Sequence, residues 1–217
     1  MFVKICGITN EDDALLAVAL GADAVGFVFA PSERQIVASK VYDITRRLPP
    51  EILTVAVFRD EHPKRVLELV QQSGVKAAQL HGHERPEDVI EVSRHVRTVI
   101  KGVVAGSVDA ARADSFHTPY VLVDAPAPGS GRVFDWHLAA EVPERVNVIL
   151  AGGLTPDNVA AGISQVNPWG VDVSSGVESA PGKKDPILMK RFIDAVRAAV
   201  PPPRQNSDRM PYDWMDE

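Results

Sequence analysis

Residues 146–164 read VNVILAGGLTPDNVAAGIS and join a short apolar run to a helical pattern. The apolar run is too short for a helix and lacks the polar alternation of a strand with one wet face. It therefore predicts a strand that is buried on both faces, as in a parallel sheet. Two glycines follow, and Thr155 and Pro156 then predict the start of a helix as its N-cap and its first residue.

The same strand-then-helix unit recurs along the chain. Seven further apolar runs occupy residues 2–6, 23–29, 52–58, 76–81, 96–103, 120–125 and 169–176. Helical patterns lie at residues 11–21, 39–48, 62–74, 85–95, 107–114, 135–142 and 185–200. Strict alternation implies parallel strands with right-handed crossovers, and eight units in about 200 residues predict an α/β fold, a single-domain (β/α)8 TIM barrel. A doubly wound open sheet is the alternative, although it usually has five or six strands.

The composition limits the classes of function. The 217 residues carry a net charge of −6, which argues against nucleic acid or an anionic membrane as a partner. A single cysteine excludes an internal disulfide and a cysteine-based metal cluster, and it is typical of a reducing cytoplasm. Residues 2–8 are too short, and too broken by Lys4 and Gly7, to be the apolar region of a signal peptide, and no apolar run approaches the roughly 20 residues of a membrane span. We therefore expect a soluble, cytoplasmic protein without a metal.

The last 17 residues differ from the rest. Residues 201–217 read PPPRQNSDRMPYDWMDE, which is led by prolines and largely polar. They follow the last helical pattern, so the barrel is expected to span residues 1–200. The remainder is predicted to be a surface tail that is partly disordered.

Four reactive or polar residues fall at predicted strand ends or in the loops after them. Cys6 closes the first strand, Arg34 follows the second, His81 closes the fourth and Asp124 closes the sixth. In a barrel of this kind the active site lies at the carboxyl ends of the strands. These residues are therefore expected to surround one mouth.

Two glycine-rich loops follow strands 7 and 8, with the sequences AGGLTPDN (151–158) and DVSSGVES (172–179). Glycines let backbone N–H groups approach an anion, and these two loops often bind phosphate in such barrels. Neither loop contains Lys or Arg, so the backbone is expected to supply most of the contact. The substrate-binding residues predicted here are Gly152, Gly153, Asp172, Ser174, Ser175 and Gly176.

Six motifs together resemble the signature of the phosphoribosylanthranilate isomerase family. They are KICGIT, GFVFAPSERQI, QLHGHE, LVDA…GSGRVFDW, LAGGLTPDNV and GVDVSSGVES…PGKKD, in order from residue 3 to about residue 185. The resemblance implies a (β/α)8 barrel, which agrees with the count of units. It also implies a tryptophan-pathway isomerase that needs no cofactor and acts on a small phosphorylated sugar–anthranilate, as a monomer or a homodimer.

The implied reaction is an Amadori rearrangement of N-(5-phosphoribosyl)anthranilate to 1-(2-carboxyphenylamino)-1-deoxyribulose 5-phosphate. In the family the KICG cysteine is the base and the LVDA aspartate is the acid, which places these roles on Cys6 and Asp124. A free thiol has a pKa of about 8.5, so Cys6 is expected to work better where positive charge favours the thiolate.

The resemblance implies roles for further residues, although this sequence departs from the family pattern near some of them. Arg34 matches the arginine that holds the anthranilate end, but Glu33 replaces the usual proline before it and is expected to compete for it. The loop at residues 128–132 reads PGSGR and predicts a mobile cover, in which Arg132 is equally consistent with a surface charge. His81 is expected either to polarise the substrate or to be hydrogen-bonded within the mouth, and Trp136 is expected to pack.

Three other functions are weighed against this one. The dual isomerase of histidine and tryptophan synthesis places aspartate, not cysteine, at the end of strand 1. A non-catalytic sensor of phosphorylated metabolites would keep the glycine loops but would not require both Cys6 and Asp124. A redox-sensing thiol lacks a second cysteine to resolve it.

Overall fold

The computed structural model describes residues 1–125 and 135–199, and within the second range it describes only the backbone of Ala140. Each of the eight predicted apolar runs forms a strand, and seven of the eight strands are buried over most of their length because both of their faces are covered. The strands are β1 (Phe2–Ile5), β2 (Ala24–Val28), β3 (Leu53–Phe58), β4 (Ala77–Leu80), β5 (Thr98–Val104), β6 (Tyr120–Asp124), β7 (Asn147–Leu150) and β8 (Gly170–Val173).

The eight strands close into a parallel barrel. Each strand pairs with the next along the chain, and β1 also pairs with β8, with Phe2 opposite Gly170 and Lys4 opposite Asp172. The (β/α)8 prediction is confirmed, and the open sheet is excluded because it would leave β1 and β8 as edges. A two-stranded antiparallel ribbon, β9 (Glu178–Ala180) with β10 (Lys183–Lys184), follows β8.

Helices cover the outside of the barrel, with ends that the sequence largely predicts. Asn10 caps the first helix by accepting a hydrogen bond from the N–H of Asp13, and Gly74 ends the third in a left-handed conformation with φ of +67°. The helices are α1 (Glu11–Ala19), α2 (Ala38–Thr45), α3 (Pro63–Ser73), α4 (Pro86–Ser93), α5 (Val108–Ala111), α6 (Val159–Val166) and α7 (Pro186–Ala199).

Three helical predictions are wrong in detail. The segment 135–142 forms a short 3₁₀ helix, Trp136–Glu141, and the segment 107–114 divides into α5 and a 3₁₀ turn, Ala113–Phe116. Thr155 does not cap α6, which begins at Val159: the Thr155 N–H instead donates to Oδ1 of Asn158, closing a polar turn before the helix.

The interior of the barrel is apolar at one end and charged at the other. A small cluster that includes Val55, Ile100, Leu122 and Ile149 fills the amino-terminal half. In β1 the side chains alternate, so Val3 and Ile5 join the core beneath the helices while Phe2 packs against the interior cluster. Period two then places Lys4 and Cys6 on the inward column above Phe2, towards the mouth.

Candidate active site

Cys6 and Asp124 lie at the carboxyl ends of strands on two sides of the barrel mouth. Cys6 directly follows β1, and its N–H donates to the carbonyl oxygen of Val173 at the end of β8, 2.8 Å away. Asp124 is the last residue of β6. Each residue is 7% exposed, so both are buried but still reach the mouth.

A buried ion pair lies directly below the thiol. Nζ of Lys4, a side chain with no exposed surface, is 2.8 Å from Oδ1 of Asp172 across the β1–β8 pairing. Gly26 of β2 makes room for both neighbours: a Cβ at that position would lie 2.9 Å from Sγ of Cys6 and 3.1 Å from Nζ of Lys4. The glycine that clears space beside the thiol is therefore Gly26 on the next strand, whereas a Cβ on Gly7 would meet Arg34 and Ser174.

The surroundings of Cys6 act on its pKa in opposite directions. Burial is the largest effect and raises the pKa, the Lys4 ammonium lowers it, and the Asp172 carboxylate raises it again. The net shift is upwards, so the expected positive environment is present but does not outweigh burial. Burial also opposes the charge on Lys4, yet Asp172 and Cys6 together raise the pKa of Lys4 above its ordinary value.

Asp124 is held by a backbone donor and faces a histidine. Its Oδ1 accepts a hydrogen bond from the N–H of Ala125 at 2.7 Å, and its Oδ2 lies 3.3 Å from Nε2 of His81. Nδ1 of His81 is 2.8 Å from Nε2 of Gln79, a residue that is 1% exposed. Nε2 of His81 is buried and makes no hydrogen bond with any described residue, so it is available to a bound substrate. Gly102 leaves space for the ring, since a Cβ there would lie 2.7 Å from Cγ of His81.

Arg34 is fixed by a glutamate, although not by the one expected. Its Nε and Nη2 donate to the two carboxylate oxygens of Glu178 at 2.8 and 2.7 Å, a bidentate pair. The expectation that Glu33 would hold Arg34 is wrong, because Glu178 of β9 provides the hydrogen bonds. Nζ of Lys184, a buried residue of β10, also donates to Glu178 at 2.9 Å. These contacts outweigh burial and lower the pKa of Glu178.

The loops after β7 and β8 meet around a small pocket at the mouth. Gly152 and Gly153 adopt φ of +80° and +68°, which favours glycine. Within the described residues, nothing accepts a hydrogen bond from the N–H of Gly152, Gly153 or Ser175. The pocket is lined by Asp124, Ala151, Gly152, Gly153, Leu154, Asp172, Val173, Ser174 and Ser175. Five of the six loop residues predicted to bind substrate are therefore brought together with Asp124.

Gly176 is the loop residue that does not line this pocket. A Cβ on Gly176 would collide with the carbonyl oxygen of Leu154, so the glycine allows the two loops to touch. A larger hollow exists on the outside of the barrel, beside α3, and contains none of the predicted site residues. The predicted constellation belongs to the mouth.

Four polar residues of the mouth were not singled out by sequence reasoning: Lys4, Gln79, Glu178 and Lys184. Period two along a strand is a signal for two of them, because Lys4 precedes Cys6 by two residues and Gln79 precedes His81 by two. Glu178 and Lys184 belong to a ribbon for which the sequence offered no strand pattern. Arg132 and its loop, and the tail at residues 201–217, lie outside the described residues.

Neither a metal site nor a membrane span is found in the described part of the chain. No group of three or more His, Cys, Asp or Glu side chains there is arranged to hold a metal ion. None of the helices among residues 1–125 and 135–199 is long and apolar enough to cross a membrane.

Comparison with known proteins gives consistent matches over nearly the whole barrel. A family model described as N-(5'phosphoribosyl)anthranilate (PRA) isomerase matches residues 3–195. The N-(5'-phosphoribosyl)anthranilate isomerase of Desulforudis audaxviator is 47% identical over 206 residues, covering 91% of this chain and 98% of the relative.

Solved structures match equally well. The crystal structure of phosphoribosyl anthranilate isomerase from Thermus thermophilus has a TM-score of 0.86 and 38% identity, and covers 91% of this chain and 99% of that one. A second phosphoribosyl anthranilate isomerase was crystallised in complex with reduced 1-(o-carboxyphenylamino)-1-deoxyribulose 5-phosphate. It has a TM-score of 0.83 and 41% identity, with coverage of 91% and 99%.

Proposed function

The chain belongs to the N-(5'-phosphoribosyl)anthranilate isomerase family and is an isomerase of tryptophan biosynthesis, and on this premise we propose that Cys6 is the general base and Asp124 the general acid of its reaction. The substrate is N-(5-phosphoribosyl)anthranilate and the product is 1-(2-carboxyphenylamino)-1-deoxyribulose 5-phosphate. One observation carries the proposal: a buried thiol and a buried carboxyl group reach the same mouth, beside a glycine-lined pocket.

The rearrangement needs one proton delivered and one removed. Asp124 donates a proton to the furanose ring oxygen as the bond from that oxygen to C1′ breaks, and the nitrogen lone pair forms the C1′=N iminium. The Cys6 thiolate then removes the proton from C2′. The electrons of that C–H bond form C1′=C2′ while the iminium electrons return to nitrogen. The resulting enol becomes the ketone when it loses its hydroxyl proton and gains a proton at C1′. Asp124 has then given up one proton and Cys6 has taken one, so proton exchange with water restores both groups, and atoms and electrons balance without a cofactor.

The environment of Cys6 supports its role as a base. The thiol is largely shielded from water, and Lys4 supplies a positive charge that favours the thiolate. Because burial leaves the pKa of the thiol raised, the thiolate is a stronger base once formed. The raised pKa also means that only a minority of the molecules carry the thiolate near neutral pH.

The environment of Asp124 supports proton delivery at a defined position. The Ala125 N–H holds Oδ1, which leaves Oδ2 as the oxygen that faces His81. Gln79 orients the His81 ring, so the imidazole contacts Asp124 through one nitrogen only. His81 therefore lies beside the acid with Nε2 free of hydrogen bonds to the described residues, as the substrate contact predicted for it requires.

The two ends of the substrate are assigned to the loops. The free N–H groups at Gly152, Gly153 and Ser175 form a phosphate site that needs no basic side chain. Arg34, in the loop after β2, is assigned to the other end of the substrate, because its planar guanidinium suits the carboxylate and ring of anthranilate. Glu178 occupies Nε and Nη2 of Arg34, which leaves Nη1 for the substrate.

The decisive experiment supplies freshly made phosphoribosylanthranilate and follows the loss of its fluorescence. Cys6→Ser keeps the size of the side chain, but its hydroxyl is too weak an acid to serve as the base, so turnover is expected to fall at least about 100-fold with the fold intact. Asp124→Asn keeps an acceptor for the Ala125 N–H but has no proton to deliver, and kcat is expected to fall similarly while KM changes little.

Wild-type activity in Cys6→Ser would show that Cys6 is a packing residue and not the general base. An Asp124→Asn variant that loses affinity but keeps kcat would make Asp124 a binding residue. A wild-type protein that binds the substrate without converting it would favour a sensor.

A further inference from the structure

Lys4 is a fully buried lysine that the proposed reaction does not use. A charged group inside a barrel loses its hydration, which is costly unless a partner compensates. Asp172 is that partner, at 2.8 Å, and the register of β1 and β8 places the two residues opposite each other. An apolar residue at this position would fill the interior without that cost, as Phe2 does one layer below. The charge therefore has a use other than packing.

The use of this charge is indicated by the side chain that lies beside the Lys4 ammonium. Its Nζ and the Sγ of Cys6 lie within contact distance of one point, the position of a Cβ on Gly26. Both side chains extend from the same face of the same strand, two residues apart, so their relative placement is set by β1 itself. Asp172 holds the ammonium from the neighbouring strand and prevents it from turning away.

Four charged groups, carried by the elements around Cys6, act on its thiol. They are Lys4 on β1, Asp172 on β8, Lys184 on β10 and Arg34 in the loop after β2. Arg34 and Lys184 both donate to Glu178, so each of these cations is already paired with a carboxylate. Lys4 is the cation with the largest effect on the thiol.

We propose that Lys4 is a positioning residue of the reaction: its ammonium, held in place by Asp172, stabilises the thiolate of Cys6 that removes the C2′ proton. The inference rests on the proposed role of Cys6. It also assigns Asp172 a second role beside the predicted contact with substrate, because Oδ1 of its carboxylate is engaged by Lys4.

The test is a pH titration of Cys6 that does not depend on turnover. Cys6 is the only cysteine in the chain, so the ultraviolet absorbance of the thiolate, with Cys6→Ser as the blank, reports on this residue alone. Lys4→Met removes the positive charge and is expected to move the titration up by at least about one pH unit, a tenfold loss of thiolate at a given pH. Asp172→Asn removes the negative charge and is expected to move it down.

The opposite directions separate an electrostatic role from a structural one. Both variants break the same ion pair, so mere loss of packing would move the titration the same way in both. Lys101→Met is the matched control, because Lys101 is equally buried and 2.7 Å from Glu84 but contacts neither Cys6 nor its neighbours. It is expected to leave the titration unchanged.

A variant that also removes Asp172 keeps the test valid if Lys4→Met fails to fold, since it leaves no unpaired charge in the interior. The double variant Lys4→Met with Asp172→Asn is expected to titrate above Asp172→Asn, because the two proteins differ only in the positive charge of Lys4, which lowers the pKa of the thiol. If the thiol of the double variant titrates at the same pH as the thiol of Asp172→Asn, the inference is overturned.

Activity provides a second readout. Turnover of Lys4→Met is expected to be reduced at neutral pH and to recover as the pH rises, whereas a misplaced thiol would stay slow at every pH. Titrations of Lys4→Met and wild type that coincide, or a shift in Lys101→Met of equal size, would overturn the role of Lys4. Full activity in Cys6→Ser would instead overturn the proposed base, whatever the titrations give.

Discussion

Replacing Gly26 with alanine tests the placement of the thiol with one added carbon atom. Gly26 lies within β2 in an extended conformation that alanine also adopts, but the new Cβ would lie 2.9 Å from Sγ of Cys6. Ordinary contacts are about 3.5–4.0 Å, so the thiol has to retreat by about 0.6–1 Å. A displacement of about 1 Å at a reacting group can cost 100-fold in rate, and kcat is expected to fall 10- to 100-fold.

The change in stability is expected to be small beside the change in rate. Overpacking costs about 1–3 kcal/mol, and replacing a strand glycine by alanine returns about 0.5–1 kcal/mol. For a chain of this size each kcal/mol lost lowers Tm by about 2–4 °C, so Gly26→Ala remains folded at assay temperature. Turnover by fluorescence loss and thermal unfolding by circular dichroism measure the two effects separately.

The matched control is Gly162→Ala in α6, whose Cβ would press on Leu150 at 3.1 Å, away from the mouth. It is expected to keep wild-type turnover. Equal turnover in Gly26→Ala and the wild type would refute the reasoning, because the thiol position would then not limit the rate. Equal losses in both alanine variants would attribute the effect to packing in general.

Two further predictions concern pH and phosphate. Because burial raises the pKa of the Cys6 thiol and the base must be deprotonated, kcat/KM is expected to keep rising above the ordinary thiol pKa of about 8.5; a plateau at neutral pH would contradict it. The same upward shift stabilises the folded state below the unfolded-state pKa of the thiol. That stability is lost as the pH rises through the higher folded-state pKa, a loss that Cys6→Ser should not show in unfolding titrations. Gly153→Ala, at a φ of +68°, is expected to raise KM and weaken binding of inorganic phosphate, whereas Gly106→Ala, at a φ of +70° outside the phosphate loops, is expected to change neither. Phosphate bound elsewhere in a soaked crystal, with both glycine loops empty, would contradict the assignment.

The fold was predictable because its signal is repeated and local. Eight buried apolar runs alternating with helical patterns leave few arrangements, and caps such as Asn10 and Gly74 mark where helices begin and end. The errors concern where helices begin and how regular they are. Thr155 and Pro156 have the chemistry of a helix start, and Oγ1 of Thr155 accepts from the N–H of Asp157, but these residues form a turn and the helix begins only at Val159.

The candidate site was only partly predictable, because contacts between distant strands depend on register. Residues at strand ends could be placed at the mouth from the fold alone, and five of the loop residues do line one pocket. The partner of Arg34 could not be predicted in this way, since Glu178 lies 144 positions away in a ribbon that the sequence pattern did not indicate. The pairing of Lys4 with Asp172 follows only once β1 is known to lie beside β8 in a given register.

The pairing of β1 with β8 also bears on when the molecule acquires its activity. Lys4 and Asp172 are 168 positions apart, and their contact forms along the line where the first strand meets the last. During synthesis, Cys6 and Lys4 leave the ribosome long before Asp172 exists, and until the barrel closes the thiol has no fixed electrostatic surroundings. With Cys6 as the proposed base, closing the barrel also completes the surroundings of that base, so a chain that has formed most of its strands and helices is expected to stay inactive until its two ends meet.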